Sequence, residues 1–294
     1  MRQKMTSDTL PMSVTAPLTP AQLTQVLNLI RRAARAEILP RFRQLDPSDI
    51  AVKSRADDLV TVVDTAAEAM ITRGLQMAFP SALIVGEEAV AKNPDLLDKI
   101  AEAELCFIID PVDGTWNFAQ GMSLFGTILA MCRFGRPTFG LIYDPVNDDA
   151  FLCDVERASV SRRGRGRDHP LRTAAPKPLD EMQGFAHIRL MAPEDRALAY
   201  AKCTGLGLVS NLRCSAHEYR LLAKGAVDFV MSSMLNPWDH AAGVMLCQQA
   251  GGHAAMLDGS DYLTTTRKGY LLSASSKETW DALAEHFADL LSEN

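Results

Sequence analysis

The chain has 294 residues, 47% of them hydrophobic, and carries Lys+Arg 30 against Asp+Glu 36 for a net charge of −6. That suits one large domain or two closely packed ones, and the acidic balance excludes a general attraction to nucleic acid or to an anionic membrane. No run approaches 18 apolar residues and the amino terminus lacks the apolar block of a secretory signal. Cys106, Cys132, Cys153, Cys203, Cys214 and Cys247 are scattered without a C-x-x-C, which reads as a cytoplasmic protein with reduced core cysteines.

Residues 1 to about 18 lack periodicity and are expected to form a mobile arm. Thr19-Pro20 is an N-cap and N1 pair, after which Leu23, Val26, Leu27, Ile30, Ala34 and Ile38 recur at helical spacing up to Pro40. In Leu59-Val60-Thr61-Val62-Val63 the β-branched content favours a strand, and Asp64 then precedes a helical pattern through Ala67, Met70, Ile71 and Leu75, where it reads as an N-cap. Ala82-Leu83-Ile84-Val85 is a short apolar strand finishing on Gly86-Glu87-Glu88, a pair of carboxylates that also reads as a solvated loop.

The run Leu105-Cys106-Phe107-Ile108-Ile109 has the signature of a core strand, and it stops on charge in Asp110-Pro111-Val112-Asp113-Gly114-Thr115-Trp116-Asn117-Phe118. Proline cannot continue a ladder, so the chain is expected to turn, and Asp110 and Asp113 can face one point. At about 4 Å and an effective dielectric of about 20, their repulsion is on the order of 4 kcal/mol. A hard cation with oxygen ligands, Mg²⁺, Mn²⁺ or Ca²⁺, removes it, and Mg²⁺ is commonly held by a few carboxylates, waters and a phosphate. Taken alone, the same tetrad is also good turn chemistry, the commoner use of such residues.

After Phe118 the stretches Leu124 to Phe134, Thr138 to Tyr143 and Ala150 to Val155 are spaced as an antiparallel meander. Glu156 to Pro178 carries Arg157, Arg162, Arg163, Arg165, Arg167 and Arg172 but no aromatic on which a base could stack. It reads as a solvated connection that could bring one arginine near a phosphate. Val209 to Leu212 leads into Arg213-Cys214-Ser215-Ala216-His217-Glu218-Tyr219, with His217 read as a satisfied helix residue, and Val227 to Met231 follows as a strand. Asn236-Pro237-Trp238-Asp239 opens a helix ended by Gly251-Gly252, with Asp239 readable as a plain N-cap. Strands over His253 to Leu257 and Tyr270 to Ala274 precede a closing helix, which starts at the Ser275-Ser276-Lys277-Glu278 capping box and buries Trp280, Leu283, Phe287, Leu290 and Leu291. No repeat of 20 to 50 residues is evident.

Four segments in order, Asp58 through Asp64, Gly86-Glu87-Glu88, Asp110 through Phe118, and Trp238-Asp239 followed by Ala241, Ala242 and Gly243, resemble the motifs of the inositol monophosphatase family of Mg²⁺-dependent, lithium-sensitive phosphatases. The resemblance covers most of the chain after about residue 20. It implies a layered αβαβα sandwich, with an α+β half over 19–156 carrying most metal ligands and an α/β half over 157–294 supplying Asp239. It implies that Glu87, Asp110 and the Val112 carbonyl hold one Mg²⁺, that Asp110, Asp113 and Asp239 hold a second, and that a third, weaker ion sits near Glu87. Mn²⁺ is the expected substitute, with Glu88 and Lys53 as outer residues of the site. A metal-activated water then attacks in line without a phosphoenzyme, and Thr115 paired with Asp64 takes the proton. Backbone N–H groups of Gly114 and Thr115 are expected to hold phosphate oxygens, and Ser215 and Ala216 to form a small turn beside the substrate alcohol.

In inositol-preferring members an acidic residue seven positions before the Trp-Asp aspartate contacts sugar hydroxyls, and here that position is Ser232. A charge-assisted hydrogen bond worth about 1.5 to 3 kcal/mol is then missing. The expected substrate is a small phosphorylated alcohol, inositol monophosphate-like or a sugar phosphate, whose alcohol Asp113 also touches. Glycerol phosphates, fructose-1,6-bisphosphate, histidinol phosphate and 3′-phosphonucleotides are alternatives. The resemblance also suggests a homodimer. Some bacterial members associate with RNA polymerase or ribosomal-RNA processing machinery, and a binding role of that kind ranks below catalysis because the metal carboxylates are all present.

Overall fold

The computed structural model describes residues 17–52 and 59–291. Lys53, Asp58 and residues 1–16 of the expected arm lie outside the described residues. Leu18, assigned to that arm, is instead buried in the first core. Thr19 caps α1 (Pro20–Ala33) by reciprocal bonds with Gln22, and the stripe Leu23, Val26, Leu27 and Ile30 is buried. The helix runs on through a π turn, Ala34–Ile38.

The paired strands β1 (Ile50–Val52) and β2 (Leu59–Thr61) lead to α2 (Val62–Ala78). Val62 and Val63, expected in the strand, are already helical. Thr61 Oγ1 accepts the Val63 N–H while Asp64 accepts the Thr61 N–H, so Thr61 is the N-cap and Asp64 the third helical residue. Local capping here outweighs β propensity.

β3 (Leu83–Gly86) and β4 (Cys106–Asp113) pair in parallel on either side of α3 (Glu87–Lys92). The antiparallel strands β5 (Gly126–Arg133), β6 (Arg136–Asp144), β7 (Asp149–Asp154), β8 (Val160–Arg163) and β9 (Asp168–Pro170) complete a seven-stranded sheet in sequence order. The meander is thus two strands longer than expected. β8 and β9 occupy the arginine-rich segment taken for a solvated connection, and Arg162 pairs with Asp168 between them. The chain leaves this sheet after Pro170, later than the division expected at 156.

The second sheet holds β10 (Gln183–Ala186), β11 (Leu208–Ser210), β12 (Phe229–Ser232), β13 (His253–Met256) and β14 (Leu271–Ala274) in the order β11-β10-β12-β14-β13. β10 runs parallel to β11 and β12, and β14 is antiparallel to both its neighbours. Three apolar cores explain the layering. The first joins α1 and α2 to one face of the large sheet. The second joins its other face, and Phe185 and Val230 of the small sheet, to α6 (Ser215–Ala223) and α7 (Pro237–Gln249). The third packs the small sheet against α5 (Pro193–Cys203) and α8 (Lys277–His286), giving the αβαβα sandwich.

α7 is buried over most of its circumference because a sheet lies on each side of it. A Cβ on Gly243 would run into the Tyr219 ring of α6. Gly243→Ala is therefore expected to destabilise the protein by about 1 to 3 kcal/mol, read from the urea midpoint; an unchanged midpoint would contradict this packing. All six cysteines are free, and no described helix is long and apolar enough to cross a membrane.

Candidate active site

A bulge in β4 brings the carboxylates together. Asp110 pairs with Ile128 but Asp113 with Gly126, so the register slips across Pro111 and Val112, a place where a sheet tolerates proline. The strand bends at Asp110 and continues, where the sequence suggested a stop. The Pro111 carbonyl, turned from the ladder, accepts from Thr127 Oγ1 at 2.9 Å. Gly114 then takes φ +86°, and a Cβ there would lie 2.7 Å from the Leu124 carbonyl oxygen, so glycine is required for the turn into α4 (Thr115–Ala119). Asn117 secures that turn by donating to the carbonyls of Leu124 at 2.9 Å and Leu212 at 2.8 Å.

One oxygen from each of Asp110, Asp113 and Asp239 lies within 4.8 Å of the others. Asp239 comes from the first turn of α7, where Asn236 is the N-cap and donates to it at 3.2 Å, so Asp239 itself is not the cap. Asp110 and Asp113 are 2% and 8% exposed. Val112 N–H donates to Asp110 at 3.1 Å, and the Cys214 thiol, at 3.1 Å, and the Ala216 N–H donate to Asp113. No lysine or arginine among the described residues forms an ion pair with these three.

Burial, then the charges of Glu87, Asp113 and Asp239, pushes Asp110 well above the usual carboxylate range. Burial, then Asp113 and Glu87, does the same to Asp239. Burial also raises Asp113, but the bonds from Ala216 and Cys214 hold it to about 6. Oxygen donors this close, with no lysine or arginine partner among the described residues, fit a hard divalent cation.

A carboxyl whose folded pKa exceeds its unfolded value, 3.8 for Asp113, favours the fold below 3.8 and loses that contribution as pH rises through about 6. Metal-free protein is therefore expected to lose stability from about pH 4 upward across this window. Mg²⁺ should restore more of it at about pH 8 than at about pH 5, because the carboxyls must release protons to bind the ion. Urea unfolding in chelator and in Mg²⁺ checks this, and equal Mg²⁺ effects at the two pH values would count against it.

Glu87 opens α3, whose N-cap Gly86 has no side chain to offer. Glu68 of α2 supplies the cap instead, accepting the Glu88 N–H at 2.8 Å and the Ala89 N–H at 2.9 Å, and a Cβ on Gly86 would collide with its carboxylate. The sequence reading misses Glu68, although its place one turn after Asp64 puts both carboxylates on one face of α2. Thr115 Oγ1 lies 3.2 Å from Asp64 Oδ1 and 3.0 Å from the Val112 carbonyl, while Asp64 Oδ2 is held by the Thr61 N–H and hydroxyl.

These groups border a cavity of about 810 Å³. Glu87, Asp110, Asp113, Gly114, Thr115, Ser215, Ser232 and Asp239 line it. Asp64, Glu88, Val112 and Ala216 are not among its lining residues; Asp64 and the Val112 carbonyl accept from Thr115, and the Ala216 N–H donates to Asp113. None of the six arginines between 157 and 172 reaches the cavity; Arg189 and Arg213 do, the latter stacked 4.0 Å above the Trp116 ring. His217 Nε2 donates to the Phe125 carbonyl at 3.1 Å, so the residue is satisfied within the fold.

The profile of the inositol monophosphatase family matches residues 19–292. The chain belongs to the inositol monophosphatase family. It is 28% identical over 267 residues to the Nus factor SuhB of Pseudomonas aeruginosa, covering 86% of this chain and 92% of that protein. It is 29% identical over 249 residues to the inositol-1-monophosphatase of Synechocystis sp., covering 83% and 82%. Among solved structures, the IMPase of Thermotoga maritima superposes with a TM-score of 0.76 at 21% identity, over 93% of this chain and 99% of that one. The inositol monophosphate-bound SaIMPase-II superposes with 0.72 at 20% identity, over 93% and 97%. These superpositions show the family fold.

One part of the cavity wall of this family member is not evident from its motifs. His187, at the end of β10, joins Ser232 of β12 to Glu218 of α6. Burial pulls the His187 pKa down, but the Glu218 carboxylate outweighs it and the net shift is upward.

Proposed function

We propose that this protein is a Mg²⁺-dependent phosphomonoesterase acting on a small phosphorylated alcohol. The observation that carries this reading is the buried cluster of Asp110, Asp113 and Asp239 on an 810 Å³ cavity, with the Thr115–Asp64 pair beside it. Glu87, Asp110, Asp113, Asp239 and the Val112 carbonyl would hold two Mg²⁺ ions, with a third near Glu87 and Mn²⁺ as a substitute. Metal bound there would supply Lewis-acid charge to the ester and acidify a water. Thr115 Oγ1 accepts the proton of the attacking water and relays it to Asp64 Oδ1. The N–H groups of Gly114 and Thr115 hold phosphate oxygens without adding charge. Ser215 and Ser232 meet the alcohol as neutral hydroxyls, and Asp113 touches it from the metal side.

The relative named inositol-1-monophosphatase and the neighbour with bound inositol monophosphate support this substrate class. Ser232 speaks for an alcohol other than inositol itself, such as a sugar phosphate. Cytoplasmic location and a homodimer complete the reading. A second reading, a binding role in transcription, is favoured by the relatives named Nus factor SuhB.

Thermal unfolding with and without Mg²⁺ and phosphate separates the two, run beside phosphate release. A ligand at 100 times its Kd stabilises the fold by about 2.7 kcal/mol. The phosphatase reading expects both a shift and turnover, and Mg²⁺ binding without turnover on a broad ester panel would favour the binding role.

A further inference from the structure

The proposed chemistry uses Ser232 but not the two buried polar side chains linked behind it, His187 and Glu218. His187 bonds through Nδ1 to Ser232 Oγ at 3.2 Å and through Nε2 to Glu218 Oε2 at 2.5 Å. Glu218 is wholly buried, and its other oxygen accepts the Leu212 N–H at 2.7 Å. His187 and Ser232 line the cavity, and Glu218 stands behind them. A carboxylate wholly buried, even in the first turn of a helix, is costly unless its partners recover the desolvation, and an apolar residue would carry no such cost.

The hydrogen-bond inventory fixes the arrangement. A carboxylate only accepts, so Nε2 carries a proton, and the Leu212 bond holds the carboxylate from its far side. The ring cannot turn without leaving Glu218 short of a partner, which keeps Nδ1 on Ser232. The other neighbour of that hydroxyl, the Met234 carbonyl at 3.3 Å, already accepts from His240 Nε2 at 2.7 Å. Whether Nδ1 donates or accepts, Ser232 Oγ keeps a lone pair at a fixed place in the wall.

We propose that Glu218 and His187 are positioning residues that fix the Ser232 oxygen as the acceptor for a free hydroxyl of the substrate alcohol. The site then takes phosphate esters of polyols ahead of esters whose alcohol has no second hydroxyl. Its turnover consequence rests on the phosphatase reading, so the test has a second arm that needs no turnover.

In the first arm, kcat/KM is compared for glycerol phosphate and propyl phosphate, the same ester without free hydroxyls. A neutral hydrogen bond sets an expected preference of about 2- to 12-fold for glycerol phosphate in wild type, expressed in KM. The ratio should fall to about one in Ser232→Ala and in Glu218→Gln, and Ser232→Thr should restore it. A ratio near one in wild type, or one unchanged in Ser232→Ala, overturns the proposal. In the second arm, ¹⁵N spectra of His187 are followed as glycerol is added to the resting protein. The Nδ1 signal should move in wild type and stay still in Ser232→Ala, and an unmoved wild-type signal overturns the proposal even if Glu218→Gln fails to fold. Should no ester be hydrolysed, the phosphatase reading fails and the spectra alone decide this one.

Discussion

Asp110→Asn is expected to cut Mg²⁺-dependent phosphate release by about a thousandfold or more while leaving the fold as stable as before, or firmer. Burial and the charges of Glu87, Asp113, Asp239 and Asp64 all raise the pKa of Asp110, so ionising it in the metal-free protein is unfavourable. An amide of the same shape removes that cost. It also removes a charge that the cation needs. Metal catalysis contributes several kcal/mol, and losing about 4 kcal/mol is about a thousandfold in rate. Initial rates and thermal unfolding should be measured together. The variant should unfold at or above the wild-type temperature without metal and show little Mg²⁺ shift, whereas a wild-type rate would remove Asp110 from the account.

Thr115→Ala is expected to lower kcat by about 10² to 10⁴, the usual contribution of a positioned proton acceptor, while keeping the Mg²⁺-induced stabilisation. Thr115 Oγ1 sits between Asp64 at 3.2 Å and the Val112 carbonyl at 3.0 Å, so alanine deletes the link without touching a carboxylate of the cluster. Thr115→Ser keeps the hydroxyl and should recover most of the rate. A Thr115→Ala kcat within about threefold of wild type would mean that the proton leaves by another route.

The fold is legible in the sequence wherever one local signal dominates. Thr19-Pro20 announces α1, and the apolar run before Asp110 announces the strand at the centre of the site. The signal fails where the deciding interaction is of another kind or lies far along the chain. Val62 and Val63 look like strand, but the reciprocal Thr61–Asp64 cap makes them helix. β9 is the exposed edge strand and β8, beside it, is only half-buried and polar, so no apolar alternation betrays them. The D-P-V-D-G segment shows two carboxylates, but its bulge exists only through pairing with Gly126 and Ile128. Glu68 caps a helix 20 residues away, and Glu218 meets a histidine 31 residues away; neither residue carries a local pattern pointing to its partner.

Phosphate release from a panel of phosphomonoesters, followed with Mg²⁺, with chelator and with Mg²⁺ restored, tests the central claim most directly. The account predicts turnover that chelation abolishes and Mg²⁺ recovers, with polyol or sugar phosphates among the best substrates. Turnover that persists in chelator, or none on any ester while Mg²⁺ demonstrably binds, would contradict it.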